Sequence, residues 1–187
     1  MPRLFIAIPV SDAVRTAMDF VWFPNSNSLR QTPLSELHLT LHFLGDVSES
    51  GCTELRIALR QIQGCAFILI MGQAGFFGGR SRPEILWAGV ERNTQLLSLH
   101  STIANCLRTL SLPVEAREYC PHLTLARMKT PDAKAAHDFV EANSTLHCTM
   151  EVEQFCLYSS NPNSTAGRYQ IIESYPLRRD SNSIPCS

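Results

Sequence analysis

The chain lacks a run of apolar residues long enough to cross a bilayer. Its first apolar stretch, Leu4-Phe5-Ile6-Ala7-Ile8-Pro9-Val10, is interrupted by Pro9 and runs straight into Ser11-Asp12, without the small-residue cleavage site of a secretory leader. It reads as a buried first strand, and the expected location is the cytoplasm. An excess of charge of one sign is also missing: 16 Lys and Arg stand against 17 Asp and Glu, for a net charge of −1. That excludes the basic footprint of a protein that grips long duplexes, so a nucleic-acid partner would be a terminus or a small piece. The seven cysteines (Cys52, Cys65, Cys106, Cys120, Cys148, Cys156 and Cys186) are odd in number and include no C-x-x-C pair. Neither a disulfide framework nor a zinc knuckle is expected, and most of the thiols read as small hydrophobes in a reducing compartment. A P-loop, a dinucleotide fingerprint and a Ser-His-Asp arrangement are all absent, so no cofactor is called for.

What remains is an ordinary globular composition, 44% hydrophobic and 18% charged over 187 residues. A chain of this size buries roughly 70% of its unfolded surface and needs no covalent staple. Strands are expected over Leu4–Val10, Leu37–Leu44, Ala66–Phe77, Glu84–Val90, His122–Met128, Cys148–Tyr158 and Tyr169–Leu177. Helices are expected from Ser11 or Asp12 toward Val21, over Glu49–Gln63, Asn93–Leu110 and Asp132–Ala142. Gly78 to Pro83, with Arg80 and Arg82, has a loop signature, as does Asn161-Pro162-Asn163-Ser164. Helices alternate with strands joined in several places by hairpin-length loops, which points to an α+β class with antiparallel pairing. Residues 1–178 are taken as one domain and 179–187 as a polar tail.

The tetrad His-Leu-Thr-Leu occurs twice, at His38-Leu39-Thr40-Leu41 and His122-Leu123-Thr124-Leu125, once in each half of the chain. On a strand, alternate side chains point to opposite faces, so each His shares a face with its Thr while the leucines enter the core. Opening a cyclic phosphodiester needs a base for the incoming nucleophile and an acid for the departing oxygen, and two imidazoles can divide those tasks near neutral pH. Thr hydroxyls on the same face can donate to non-bridging phosphate oxygens as charge develops there. A decayed duplication that kept only its packing would explain the leucines. It would not explain the return of both His and Thr. No metal is required.

The chain resembles the two-histidine (2H) phosphoesterase superfamily, and within it the RNA 2′,3′-cyclic phosphodiesterases, also known as 2′-5′ RNA ligases. The likeness covers nearly the whole length: Arg3 to Ile8, Leu37-His38-Leu39-Thr40-Leu41-His42-Phe43-Leu44-Gly45, Arg82 to Val90, Pro121-His122-Leu123-Thr124-Leu125-Ala126-Arg127 and Phe155 to Ser160. The resemblance implies a bilobal α+β fold, with two antiparallel sheets facing a central groove and helices outside. It also implies hydrolysis of RNA 2′,3′-cyclic phosphate ends, those of tRNA fragments among them, to 2′-phosphomonoesters. In that scheme His38 is the proton donor, His122 the proton acceptor, and Thr40 and Thr124 bind the phosphate. ATP-independent joining to a 5′-hydroxyl is the same chemistry reversed. The alternatives are a phosphodiesterase for another cyclic or 2′-5′ linked nucleotide, and an RNA-end-binding module without turnover. No obligate protein partner is indicated.

Arg127 closes the second motif and is the expected partner of the phosphate, yet strict alternation turns it to the face opposite His122. A bulge, a strand end or the reach of the guanidinium would be needed to bring it round; the alternative is a salt bridge at the rim. His42 nominally shares the face of His38, where it would line the groove or stand solvated. The H-x-x-x-H spacing of His38 and His42 makes a poor zinc site on a strand, about 13 Å apart with no acidic third ligand nearby. Phe76, Phe77, Trp87 and Tyr158 are candidates for base stacking or core packing. His100, His137 and His147 carry no pattern.

Overall fold

A computed structural model describes residues 3–79, 82–161 and 167–179. Arg80, the Pro162 to Ser164 turn and the tail from residue 180 onward lie outside the described residues. The elements run β1 (Arg3–Pro9), α1 (Asp12–Asp19), β2 (Leu29–Gln31), a 3₁₀ turn (Leu34–Glu36), β3 (His38–Asp46), α2 (Glu49–Leu59), β4 (Phe67–Gly79), β5 (Arg82–Val90), α3 (Thr94–Thr109), β6 (His122–Met128), α4 (Ala133–Ala142), β7 (His147–Val152), β8 (Gln154–Ser160) and β9 (Tyr169–Pro176). Each helix starts where a side chain satisfies one of its free backbone amides: Ser11 for Val14, Ser48 for Gly51, Asn93 for Leu96 and Asp132 for Ala135. Each then buries one stripe, Val14 and Met18 on α1, Leu55 and Leu59 on α2, Leu96, Leu99, Ile103 and Leu107 on α3, and Ala136 and Phe139 on α4.

The strands pair antiparallel in the order β7-β4-β5-β6-β3-β1-β8-β9, with β2 added to β6. This is the expected α+β class. The two sheets implied by the resemblance are here two four-stranded halves of one sheet, joined where Leu39 of β3 pairs with Leu123 of β6. Strand, helix, motif strand, helix occurs twice, as β1-α1-β3-α2 and as β5-α3-β6-α4. The buried stripes of all four helices join one apolar cluster with Ile6, Leu39, Leu86, Leu123 and their neighbours on a single face of the sheet. The opposite face carries the second, small cluster of Phe5, Ala7, Cys156 and Tyr158. At the far edge, Arg56 and Arg60 of α2 clamp Glu173 of β9 at 2.6 and 2.5 Å, holding its carboxyl below the usual carboxylate range.

Three local expectations change. The single strand expected over Cys148–Tyr158 is two, β7 and β8, broken at Glu153; β7 joins β4 at one end of the sheet and β8 joins β1 near the other. The two strands are told apart only by their partners, β4 for β7 and β1 for β8, which no local pattern could mark. Residues 29–36, where the sequence predicts no element, contain β2 and the 3₁₀ turn. Among the cysteines, Cys65 is disulfide-bonded, while Cys52, Cys106, Cys120, Cys148 and Cys156 are free. No helix among the described residues is long and apolar enough to cross a membrane.

Candidate active site

Both motifs end in the same backbone irregularity, and it decides what faces the groove. In β3 the pairing with β1 steps from Ala7↔Thr40 to Ile6↔His42, leaving Leu41 as an extra residue. In β6 the pairing with β5 steps from Trp87↔Thr124 to Leu86↔Ala126, leaving Leu125 extra. A bulge of this kind reverses the inside–outside alternation beyond it. The burial pattern shows the reversal directly: Leu41 and His42 are both buried, as are Leu125 and Ala126.

The consequence for Arg127 is that it returns to the face of His122 and Thr124, the outcome that strict alternation denied it. Its guanidinium has no ion-pair partner among the described residues. The first motif has Phe43 at the matching position, 60% exposed. His42 goes the other way. It is turned off the groove to the helical side, only 3% exposed, with its ring 4.2 Å from that of His100 on α3 and Nε2 3.0 Å from the His100 carbonyl. His42 therefore neither lines the groove nor shares a face with His38, which removes the H-x-x-x-H metal reading. Among the described residues no three His, Cys, Asp or Glu cluster as a ligand set.

The two catalytic candidates are held alike. His38 Nδ1 donates to the Glu36 carbonyl at 2.7 Å and His122 Nδ1 to the Cys120 carbonyl at 2.8 Å. A carbonyl can only accept, so each neutral ring carries its proton on Nδ1 and leaves Nε2 for chemistry. Each ring also leans on a pair of aromatics. Phe5 lies 4.8 Å from His38 and stacks on Tyr158 at 4.9 Å; Phe77 meets His122 edge-on at 4.7 Å and packs on Trp87 at 5.3 Å. Trp87 in turn lies across the backbone of β4 so closely that a Cβ on Gly75 would fall 2.3 Å from its ring, which requires glycine there. Phe77, Trp87 and Tyr158 thus brace the imidazoles, and Phe76 packs elsewhere, against His137 of α4 at 5.4 Å.

Burial, the leading cause, lowers the proton affinity of both imidazoles below the usual 6.5, against the opposing pull of the two carbonyls. His122, Arg127 and Arg168 lower His38 further, and Arg127 lowers His122 further. Arg127 therefore acts on both rings, consistent with a position beside the space they share. The hydroxyls of Thr40 and Thr124 make no hydrogen bond to another described residue. The arrangement offers two Nε2 atoms for proton transfer and, unpaired among the described residues, two hydroxyls and one guanidinium to an anion.

Sequence reasoning overlooked two groups here. Tyr119 donates to the Thr40 carbonyl at 3.0 Å and stacks on His100 at 3.9 Å, tying the segment before His122 to the first motif. Arg168, just before β9, lies over the Tyr169 ring at 5.3 Å, and that ring meets His38 edge-on at 5.0 Å. Neither sits in a motif, and only the packing of distant segments brings them to the site.

Residues 10–163 match the family model of the 2′-5′ RNA ligase superfamily. A Thermotoga maritima protein named RNA 2′,3′-cyclic phosphodiesterase is 29% identical over 175 residues, 91% of this chain and 92% of that protein. A Geobacillus stearothermophilus protein of the same name is 28% identical over 92% of this chain, which spans only 56% of that longer relative. Among solved structures, a Thermus thermophilus protein superposes with a TM-score of 0.79 at 23% identity, covering 95% of this chain and 99% of that one. E. coli LigT in its apo form gives 0.74 at 25% identity, over 94% of this chain and 97% of that one. With the family model covering most of the chain and both of its His-Leu-Thr-Leu strands, this protein belongs to the 2′-5′ RNA ligase superfamily.

Proposed function

We propose that this chain hydrolyses RNA 2′,3′-cyclic phosphate ends to 2′-phosphomonoesters. The observation that carries the reading is the union of two His/Thr pairs at one sheet junction, with Arg127 turned onto the same face by a bulge. The phosphate is held by the Thr40 and Thr124 hydroxyls and Arg127. Nε2 of His122 takes a proton from water as its oxygen bonds to phosphorus. The P–O3′ bond breaks, and the His38 imidazolium gives its Nε2 proton to the departing O3′. The phosphorus keeps its bond to O2′, so the product is the 2′-phosphate and a free 3′-hydroxyl. A 5′-hydroxyl in place of water yields a 2′-5′ linkage by the same proton transfers, without ATP. The names of the relatives support the substrate class, and a structure of E. coli LigT complexed with 3′-AMP supports a nucleotide ligand.

Residues 1–178 act as one unit in this scheme, because neither half holds a complete set of groups. The proposed location is the cytoplasm. The test is phosphorus NMR of a short RNA ending in 2′,3′-cyclic phosphate. Appearance of the 2′-phosphomonoester alone is expected. Binding without product would make the chain an RNA-end-binding module, and turnover of free cyclic nucleotides alone would make it a different phosphodiesterase.

A further inference from the structure

Arg168 has no counterpart in the scheme above, and its surroundings are unusual for a surface cation. It is half-buried, its Nε is enclosed without a hydrogen-bond partner, and no carboxylate among the described residues pairs with it. Leaving an enclosed guanidinium nitrogen without an acceptor is costly unless a ligand completes it. The Tyr169 ring lies beneath it, 5.3 Å from the guanidinium carbon, and arginine, unlike lysine, presents a planar fork to a phosphate.

Its position relative to the reacting centre is also defined. The Tyr169 ring stands between Arg168 and the first imidazole, 5.3 Å from the Arg168 guanidinium and 5.0 Å from the His38 ring, at the start of β9. Arg168 therefore stands beyond His38, on the β8–β9 side. If His38 protonates O3′, the terminal ribose must occupy the His38 side of the groove. The RNA chain then leaves from its 5′ oxygen, outward and away from His122.

From this geometry we infer that Arg168 binds the phosphodiester on the 5′ side of the terminal nucleotide, so that the site selects an oligonucleotide end over a cyclic mononucleotide. The inference rests on the proposed hydrolysis and on the role given there to His38.

The test compares kcat/KM on 2′,3′-cyclic AMP, which has one phosphate, with that on the dinucleotide ApA ending in 2′,3′-cyclic phosphate, which has two. The ratio is the readout, because any change in the proton affinity of His38 alters both rates alike. The unaltered protein is expected to favour the dinucleotide. Arg168→Gln should lower the dinucleotide-to-mononucleotide ratio by roughly 10- to 100-fold, the scale of one lost hydrogen bond to a charged group. Arg168→Lys, which keeps the charge and the stem, should recover part of the ratio and provides a second variant if the glutamine form folds poorly. An unchanged ratio, or no preference in the unaltered protein, overturns the role of Arg168 while leaving the hydrolysis standing. An equal loss on both substrates moves Arg168 to the reacting phosphate and also overturns it. No turnover of either substrate by the unaltered protein overturns the hydrolysis and this inference together.

Discussion

Leu39 of β3 and Leu123 of β6 face each other as the registered pair through which the two halves of the sheet meet, and both are completely buried. Extending that antiparallel register by one residue in each direction sets His38 abreast of Thr124 and Thr40 abreast of His122. Each motif thus supplies the imidazole for one side of the groove and the hydroxyl beside the other imidazole. Two identical tetrads related across an antiparallel junction produce a locally two-fold arrangement of imidazoles and hydroxyls, which Arg127 and Phe43 then make unequal.

The leucine pair is therefore expected to control the site as well as the fold. Leu123→Ala leaves a cavity under the junction and should cost about 2–5 kcal/mol of stability. It should also lower kcat, because the strands can then separate by more than the tolerance of a proton transfer. Urea unfolding and steady-state kinetics on the same preparation check both. A destabilised variant with undiminished kcat would show that the junction does not set the spacing of the imidazoles.

The proton affinities of the two imidazoles predict where activity peaks. The proposed reaction needs His38 protonated and His122 neutral, so kcat/KM should follow a bell whose two apparent values belong to the coupled pair. Both rings lie below 6.5 in the free protein, so the kcat/KM optimum should lie below 6.5. In the complex the anionic phosphate stabilises imidazolium, which should displace the kcat profile toward higher pH. A kcat/KM optimum well on the alkaline side of 6.5 would contradict the assignment.

Removing either imidazole should cost on the order of 10²–10⁴ in rate, the usual scale for one positioned acid or base. His122→Ala should abolish the acidic limb of the bell, and His38→Ala the alkaline limb. The double variant should lose less than the product of the single losses, since both groups act in one transition state. Wild-type turnover in either single variant, with its circular dichroism unchanged, would end the two-histidine mechanism.

Arg127 separates charge from shape. Arg127→Lys keeps the charge but not the planar fork, so it should weaken transition-state binding and leave the pH optimum in place. Arg127→Gln removes a cation that lowers both imidazoles. Both values should rise, and the kcat/KM bell should move to higher pH. The pH profiles of the two variants distinguish these outcomes, and wild-type kinetics in both would return Arg127 to the rim.

The stack of His42, His100 and Tyr119 predicts a stability profile in acid. His100 is pushed down to about 4, chiefly by burial and then by His42 and Arg108, and His42 is lowered chiefly by burial. Folded values below the unfolded 6.5 mean that the unfolded chain binds more protons in acid. The stability these rings contribute is complete above 6.5 and is lost as pH falls from there toward 4. His100→Phe keeps a ring in the stack without the titration, and should flatten that decline in urea midpoints measured across the interval. An unaltered slope would place the acid sensitivity elsewhere.

The sequence by itself determined the parts that depend on neighbours along the chain. Ser11, Ser48, Asn93 and Asp132 start the helices, as local capping chemistry dictates. Alternation within each tetrad put His and Thr on one face and Leu on the other, and the recurrence of the tetrad pointed to the catalytic pair. Tertiary structure decided what alternation could not. The extra residues at Leu41 and Leu125 exist only relative to the strands beside them, so no pattern within β3 or β6 could reveal that His42 turns inward while Arg127 comes round to the groove. The break at Glu153 was hidden because β7 and β8 are adjoining β-favouring segments whose different partners, β4 and β1, lie far away in sequence. Arg168 and Tyr119 reach His38 and Thr40 across long stretches of chain. A contact between residues far apart in sequence is fixed by which surfaces pack together, and that is settled only when the whole sheet has closed.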